Sequence, residues 1–367
     1  MSIAKMRGVA VCATLLGLVF VWAARCEGQS GSPVAVKKVE IASGIYEFQS
    51  AADGYVPNDN ALVVVNQDDV LVFDTFSRVS IARMLLAEIR KITDKPVRYV
   101  VNSHHHPDHW SGNEVFADAF PGVEIIATEE AREFMLNIEH SWPPVWTRQL
   151  KEQQSALEEE TRSGKLADGS VLTAEKRQQD EHEVRLLGDW VGELLKVKRT
   201  HPTLTYRDRL TLRHGGREFR FLSVTGDASG TTVMYLPKEK ILAVGDTIHF
   251  PVPDINFNLP VSRLNTSLKR LNELDVEKII PGHGAVLDKG VLQAEIELQD
   301  SVIRQVGEIV KRGTVTVEEM NKLVDVAAMR DKFTRGDASL NGPFQHAVER
   351  MVENASKEAR DGRKWEQ

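Results

Sequence analysis

The segment "VNSHHHPDHWSGN", residues 101–113, sets four histidines and one aspartate within six consecutive positions, His104 to His109. Imidazole nitrogens and carboxylate oxygens bind divalent ions such as zinc at about 2.0–2.2 Å. Side chains alternate across an extended chain, so His104 and His106 can face one metal while His105 points away as a bystander. Pro107 bends the chain and holds His106 extended, which lets Asp108 and His109 reach a second position close by. One loop can thereby serve two neighbouring cations. An incidental surface histidine run, or a metal-binding tract without catalysis, has the same composition. Position argues for a site: the cluster ends the hydrophobic strand "VRYVVNS", where layered α/β proteins place their ligands.

The donors that could complete such a site are limited by cysteine usage. The chain has only two cysteines, Cys12 and Cys26, both in or beside the N-terminal leader, so a metal site in the body of the protein must be built from histidine and carboxylates. At 367 residues, 42% hydrophobic and 27% charged, the chain has the composition of a folded globular protein with one large or two moderate domains. Its net charge of -7 and lack of a basic patch exclude a nucleic-acid surface, which needs clustered Lys and Arg. Lys5 and Arg7 precede the apolar run "GVAVCATLLGLVFVWAA", which ends at Arg25 and a small polar segment. That layout predicts a signal peptide over residues 1–28, periplasmic or secreted location, and no membrane association after cleavage; an uncleaved N-terminal anchor is the alternative.

The elements that must position the cluster follow from periodicity. "VAVKKVEIA", "IYEFQS", "ALVVVNQ" and "DVLVFDTF" predict consecutive hairpins, and "SIARMLLAEIRKIT" a helix with Ser80 as N-cap. A helix, "NEVFADAF", and a strand, "VEIIAT", follow the histidine loop. Residues 133–200 are highly charged and helix-favouring, and predict a helical insertion with a solvated face. Hairpins resume at "RLTLRHGGREFRFLSVTGD", with "TTVMYLP" and "KILAVGD" paired around Lys238 and Glu239. "VSRLNTSLKRLNEL" is an amphipathic helix, and "KIIPGHG" a short strand and loop. Residues 289–367 predict a helical C-terminal extension without chemistry, including a capping box at Thr316 and Glu319.

The spacing HxHxDH, met by His104, His106, Asp108 and His109, resembles the metal-binding motif of the metallo-β-lactamase superfamily. "VGD" with Asp246, "PGHG" with His283 and "VFDTF" with Asp74 stand in the family's order, and the resemblance covers residues 35–288. It implies an α+β fold, a four-layer αββα sandwich, with a dinuclear site at one edge. On this resemblance His104 and His106 bind the first metal, Asp108, His109 and His283 the second, and Asp246 bridges them. Asp74 orients the histidine loop from behind, or else is an ordinary strand-end aspartate capping a turn.

One position departs. Where the family supplies a third histidine to the first metal, "TGDASGTTVMYLP" places Asp227. A carboxylate can ligate zinc at about the same distance as imidazole. A third aspartate would lower the Lewis acidity of that metal, raise the pKa of its water and favour manganese or iron more than histidine does. The alternative is that Asp227 does not ligate.

The resemblance implies two zinc ions about 3.5–4 Å apart, a bridging water that loses a proton near neutral pH and attacks, and Asp108 or Asp246 passing a proton to the leaving group. The expected activity is metal-dependent hydrolysis of an ester, lactone, thioester, amide or β-lactam bond in a small-molecule substrate. Two other readings stay open, a mononuclear iron oxygenase of the same fold and a catalytically weakened metal-binding protein. His249 is read as an exposed loop residue, with approach to substrate as the alternative; His140, His182, His201, His214 and His346 are read as structural or solvated. Trp142 and Trp146, and the loop "FPVPDINFNLP", are the segments expected to shape the pocket.

Overall fold

The computed structural model describes residues 36–50, 58–137, 144–253, 255, 259–313 and 315–361; the leader with both cysteines, His140, Trp142 and part of the 250–260 loop lie outside them. Seven strands form the first sheet, in spatial order β1 (Val36–Ala42), β2 (Ile45–Ser50), β3 (Asn60–Val65), β4 (Val70–Phe73), β5 (Val97–Val101), β6 (Glu124–Thr128) and β7 (Leu204–Tyr206). The first four pair antiparallel as hairpins, whereas β4 to β7 run parallel because α1 (Val79–Ile92) and later helices carry the crossovers. The second sheet has the order β12 (Lys278–Pro281), β11 (Ile241–Gly245), β10 (Thr231–Leu236), β9 (Arg217–Val224) and β8 (Arg209–His214).

Side chains sort the layers. Leu62, Leu71, Phe73 and Val101 from one sheet and Phe219, Phe221, Met234 and Ile280 from the other form the apolar layer between the sheets. Alternate residues on the same strands, Val63, Val72 and Val100, face Ile81, Leu85 and Ile89 of α1. The outer face of the second sheet, through Val233, Leu242 and Ile279, is covered by α7 (Val261–Asn272) and α8 (Lys289–Arg312). The result is the four-layer αββα order, with each fully buried Leu, Val or Phe contributing roughly 1.5–3 kcal/mol.

Between β5 and β6 lie α2 (Pro107–Trp110) and α3 (Asn113–Ala119), and after β6 comes α4 (Glu129–Leu136). Within residues 133–200, the described residues form the end of α4, two long helices, α5 (Pro144–Ser163) and α6 (Ala174–Leu194), and the turns beside them. Leu150, Leu157, Leu187 and Trp190 pack these helices against Trp110, one residue past the histidine cluster. After α8 follow α9 (Val317–Leu323) with its capping box, α10 (Ala327–Thr334) and α11 (Asn341–Asp361). One local expectation fails: the N-cap of α1 is Arg78, and Ser80 lies inside the helix. Its hydroxyl and amide instead bond Glu193 of α6, which also pairs with Arg78, so a tertiary acceptor displaces the local cap. Among the described residues no helix is long and apolar enough to cross a membrane.

Candidate metal centre

Every residue of the site follows the C-terminal end of a strand. Asp74 follows β4, His104 to His109 follow β5, Asp227 follows β9, Asp246 follows β11 and His283 follows β12. These strands point the same way across the two sheets, so their ends meet at one edge of the sandwich. The sheets are tied there by the Thr232 amide, which donates to the Ser103 carbonyl at 2.6 Å.

The histidine loop folds as Pro107 dictates. His106 stays extended (φ -68°, ψ 140°), and Pro107 starts the short helix α2, which carries Asp108 and His109 inward. Asp74 adopts a left-handed backbone (φ 62°), which sets its carboxylate between two groups. Oδ1 accepts the Ser103 amide at 2.7 Å, and Oδ2 lies 2.9 Å from His109 Nδ1. Asp74 therefore orients the loop from behind and fixes His109 with Nε2 facing the site. The Thr75 amide donates to the His109 carbonyl at 3.0 Å, while Asn102 and Asn113 exchange hydrogen bonds of 3.0 and 2.8 Å beneath it.

Two donor sets result, each with its atoms within 4.8 Å of one another: His104, His106, Asp227 and Asp246; and Asp108, His109, Asp246 and His283. Asp246 belongs to both. Its Oδ2 lies 3.3 Å from His109 Nε2, 3.4 Å from His283 Nε2 and 3.9 Å from His104 Nε2. His283 Nε2 is 3.3 Å from Asp108 Oδ2, and Asp227 Oδ2 is 3.3 Å from His106 Nδ1. All seven residues singled out in the sequence converge, Asp227 included.

Burial makes the electrostatics strong. Desolvation would push the Asp246 carboxyl up, yet His283 and His109 hold it well below its usual value. Burial would likewise lower His109 and His283, but Asp246 and its neighbouring carboxylates hold both well above the usual imidazole range. His104 goes the other way: burial, then His109 and His106, keep it neutral.

These residues fit divalent cations. His104 Nε2, His109 Nε2, Asp108 Oδ1 and Asp246 Oδ1 are buried without a hydrogen-bond partner, a costly arrangement for folding alone at about 1–3 kcal/mol per group. All four residues belong to the two donor sets. Gly282 keeps the space beside two of them open: a Cβ there would stand 2.0 Å from Asp246 Oδ1 and 2.8 Å from His109 Cε1.

Several supporting residues carry no motif and escaped the sequence reading. The Asn60 side-chain amide donates to the carbonyls of Pro281 at 3.0 Å and Gly284 at 2.8 Å, and Gln49 donates to the same Gly284 oxygen at 2.7 Å. Strands β2 and β3 thus clamp the loop that presents His283; the polar pair Asp59–Asn60 opening an apolar strand was the only sequence signal. His249 is not a plain solvated residue: its Nε2 is 3.9 Å from Asp246 Oδ2, and its amide donates to Glu295 of α8 at 3.2 Å. Helix α8 therefore holds the loop after β11, although among the described residues no C-terminal helix contributes to either donor set. His105 stacks on Phe134 at 4.6 Å between ring centroids and belongs to neither donor set. Nor are the remaining described histidines without partners. His214 pairs with Asp69, His346 lies 3.9 Å from Glu349, and His201 packs its ring on Trp110.

The sequence profile of the metallo-β-lactamase superfamily matches residues 55–283, from just ahead of β3 to the last histidine of the site. The chain belongs to the metallo-β-lactamase superfamily. It is 27% identical over 232 residues to the linear primary-alkylsulfatase of Pseudomonas sp. (strain ATCC 19151), a match covering 59% of this chain and 40% of that relative's length. Among solved structures, a metallo-β-lactamase from Pontibacter korlensis superposes with a TM-score of 0.52 at 16% identity, over 72% of this chain and 99% of the other. The DIM-1 metallo-β-lactamase gives a TM-score of 0.50 at 17% identity, over 73% and 99%. These likenesses show the fold. Family and donor sets together support divalent-metal binding and a metal-dependent hydrolase in general.

Proposed function

We propose that this chain hydrolyses an ester bond of a small-molecule substrate, using two divalent cations, zinc in the first instance. The observation that carries the reading is the single carboxylate, Asp246, shared by two donor sets in which His104, His109 and Asp108 also hold buried atoms without a hydrogen-bond partner. His104, His106 and Asp227 would hold one cation, and Asp108, His109 and His283 the other. Such a pair supplies Lewis acidity and lowers the pKa of a bound water towards neutrality.

The remaining work falls to side chains. Asp74 and Ser103 keep His109 and His104 in the orientation that aims Nε2 inward. The Asp108 oxygen without a partner, or Asp246, moves a proton to the leaving oxygen. His249, at the rim and a quarter exposed, is placed to orient a substrate oxygen. Trp110 and the α5–α6 helices wall the histidine side from water.

Among bonds, the alkylsulfatase relative favours a sulfate ester over lactone, thioester, amide or β-lactam. The leader fits export, so the mature chain would work outside the cytoplasm. The test is metal content of the purified chain together with turnover of sulfate ester, carboxylate ester, lactone, thioester and β-lactam probes. Two zinc per chain with ester turnover lost in Asp246→Ala supports the proposal. One iron per chain without hydrolysis would point to an oxygenase, and two metals without any turnover to a binding protein.

A further inference from the structure

Two of the site's histidines are held from behind at close range. His104 Nδ1 lies 3.1 Å from Ser103 Oγ, and His109 Nδ1 lies 2.9 Å from Asp74 Oδ2. His283 Nδ1 faces a third group, the Asp59 carboxylate, with Oδ1 at 3.7 Å. Both atoms are buried and neither has a hydrogen-bond partner.

Asp59 is fully buried and its orientation is over-determined. Oδ2 accepts the Ser77 amide at 2.7 Å, its own amide donates to Ser50 Oγ at 2.8 Å, and its carbonyl accepts the Ser50 amide at 2.9 Å. Its backbone also forms an isolated antiparallel bridge with His283 itself. The one atom of Asp59 left over is the oxygen aimed at the imidazole. A buried carboxylate is a costly way to fill a strand end, and hydrogen bonding to Ser77 needs only one of its oxygens.

We propose that Asp59 is the positioning carboxylate of the cation site formed by Asp108, His109, Asp246 and His283. It accepts the Nδ1–H of His283, selects the tautomer whose Nε2 carries the lone pair, and aims that nitrogen at the cation. A ring nitrogen binds a metal only through its lone pair, and the partner of the other nitrogen decides where the proton sits. A shift of under about 1 Å, in the loop where Gly282 and Gly284 flank His283, brings the pair to hydrogen-bond distance. Asp59 touches no reacting atom and acts through His283. The inference rests on the two-cation reading above and adds a third outer partner that the family motifs do not mark.

The test is a zinc titration of the metal-free full-length chain against a chromophoric chelator, so that both equivalents are read separately and without substrate. Uptake of two equivalents by the unaltered chain tests the two-cation reading itself; uptake of fewer overturns that reading and this inference with it. Given two, Asp59→Ala is expected to weaken one equivalent by about 10–100-fold and the other by less than about threefold. Asp59→Asn, which keeps an oxygen acceptor and loses the charge, is expected to fall between, and it decides the matter if the alanine variant does not fold. A merely structural role would lower the melting temperature of the metal-free protein without separating the two affinities. Both equivalents unchanged, or both weakened alike, overturns the proposal.

Discussion

Gly282→Ala adds a single methyl group at the point where the two sheets' loops meet, and the structure sets the size of its effect. The new Cβ would stand 2.0 Å from Asp246 Oδ1, 2.8 Å from His109 Cε1 and 3.1 Å from the Gly245 carbonyl carbon, whereas ordinary contact begins at 3.4 Å. The overlap with Asp246 is therefore roughly 1.4 Å. Rotation of Asp246 cannot relieve all three contacts, because His109 is fixed by Asp74 and Gly245 is backbone paired to the Gly282 amide. Misplacement of about 1 Å at a reacting site costs on the order of 100-fold, or about 2.7 kcal/mol of barrier. Gly282→Ala is expected to lose at least one metal equivalent by elemental analysis and at least 100-fold in kcat/KM on any ester substrate found. Gly284→Ala is the control. Its backbone is left-handed (φ 86°) but its nearest contact is the Phe250 carbonyl at 3.7 Å, so it should lower the melting temperature through about 1–2 kcal/mol of strain and keep both metals. Full metal content and activity in Gly282→Ala would refute the close-approach reasoning.

Glu47 is buried on β2, and desolvation pushes its carboxyl from 4.5 up to about 7 against the pull of Lys37. A raised carboxyl pKa means stability that is full below pH 4.5 and lost as pH rises through 7, about 3 kcal/mol at most; Glu47→Gln should raise the melting temperature at pH 8 and leave it unchanged at pH 4, and equal differences at both would contradict this. Because His109 and His283 are held protonated by the carboxylates around them, metal uptake must expel those protons. Calorimetry of zinc binding at pH 7 in buffers of different ionisation enthalpy should show release of about two protons per chain, and none would show the imidazoles to be neutral beforehand. Asp227→His removes one negative charge beside His106, so the acid limb of the pH–rate profile should move down by up to about one unit; an unmoved limb would mean that Asp227 holds no cation.

How much of this was legible beforehand differed by kind of feature. The histidine loop was legible because donor type and spacing are local: His104 and His106 share a side in extended chain, and Pro107 sits where α2 begins. Asp246, His283 and Asp227 lie far apart in sequence, and only the family's order of motifs linked them to the loop. Strands such as β3, buried at all but its last residue, and helices such as α1 announced themselves by apolar periodicity. What stayed hidden depends on tertiary partners. Ser80 has an ordinary N-cap's chemistry, but Glu193, more than a hundred positions away, takes its hydrogen bonds and the helix starts at Val79. Asn60 and Gln49 look like ordinary strand polar residues until β12 is laid beside β3. His249 and Glu295 likewise acquire meaning only when α8 packs against the loop after β11.

The central claim is that Asp246 joins two cation sites. Metal content of the unaltered chain and of Asp246→Ala, measured on zinc-loaded and then desalted protein, addresses it directly. Two zinc per chain falling to one or none in the variant, with the fold retained, is the expected result. A single zinc in the unaltered chain, or two that survive the loss of the shared carboxylate, would contradict it.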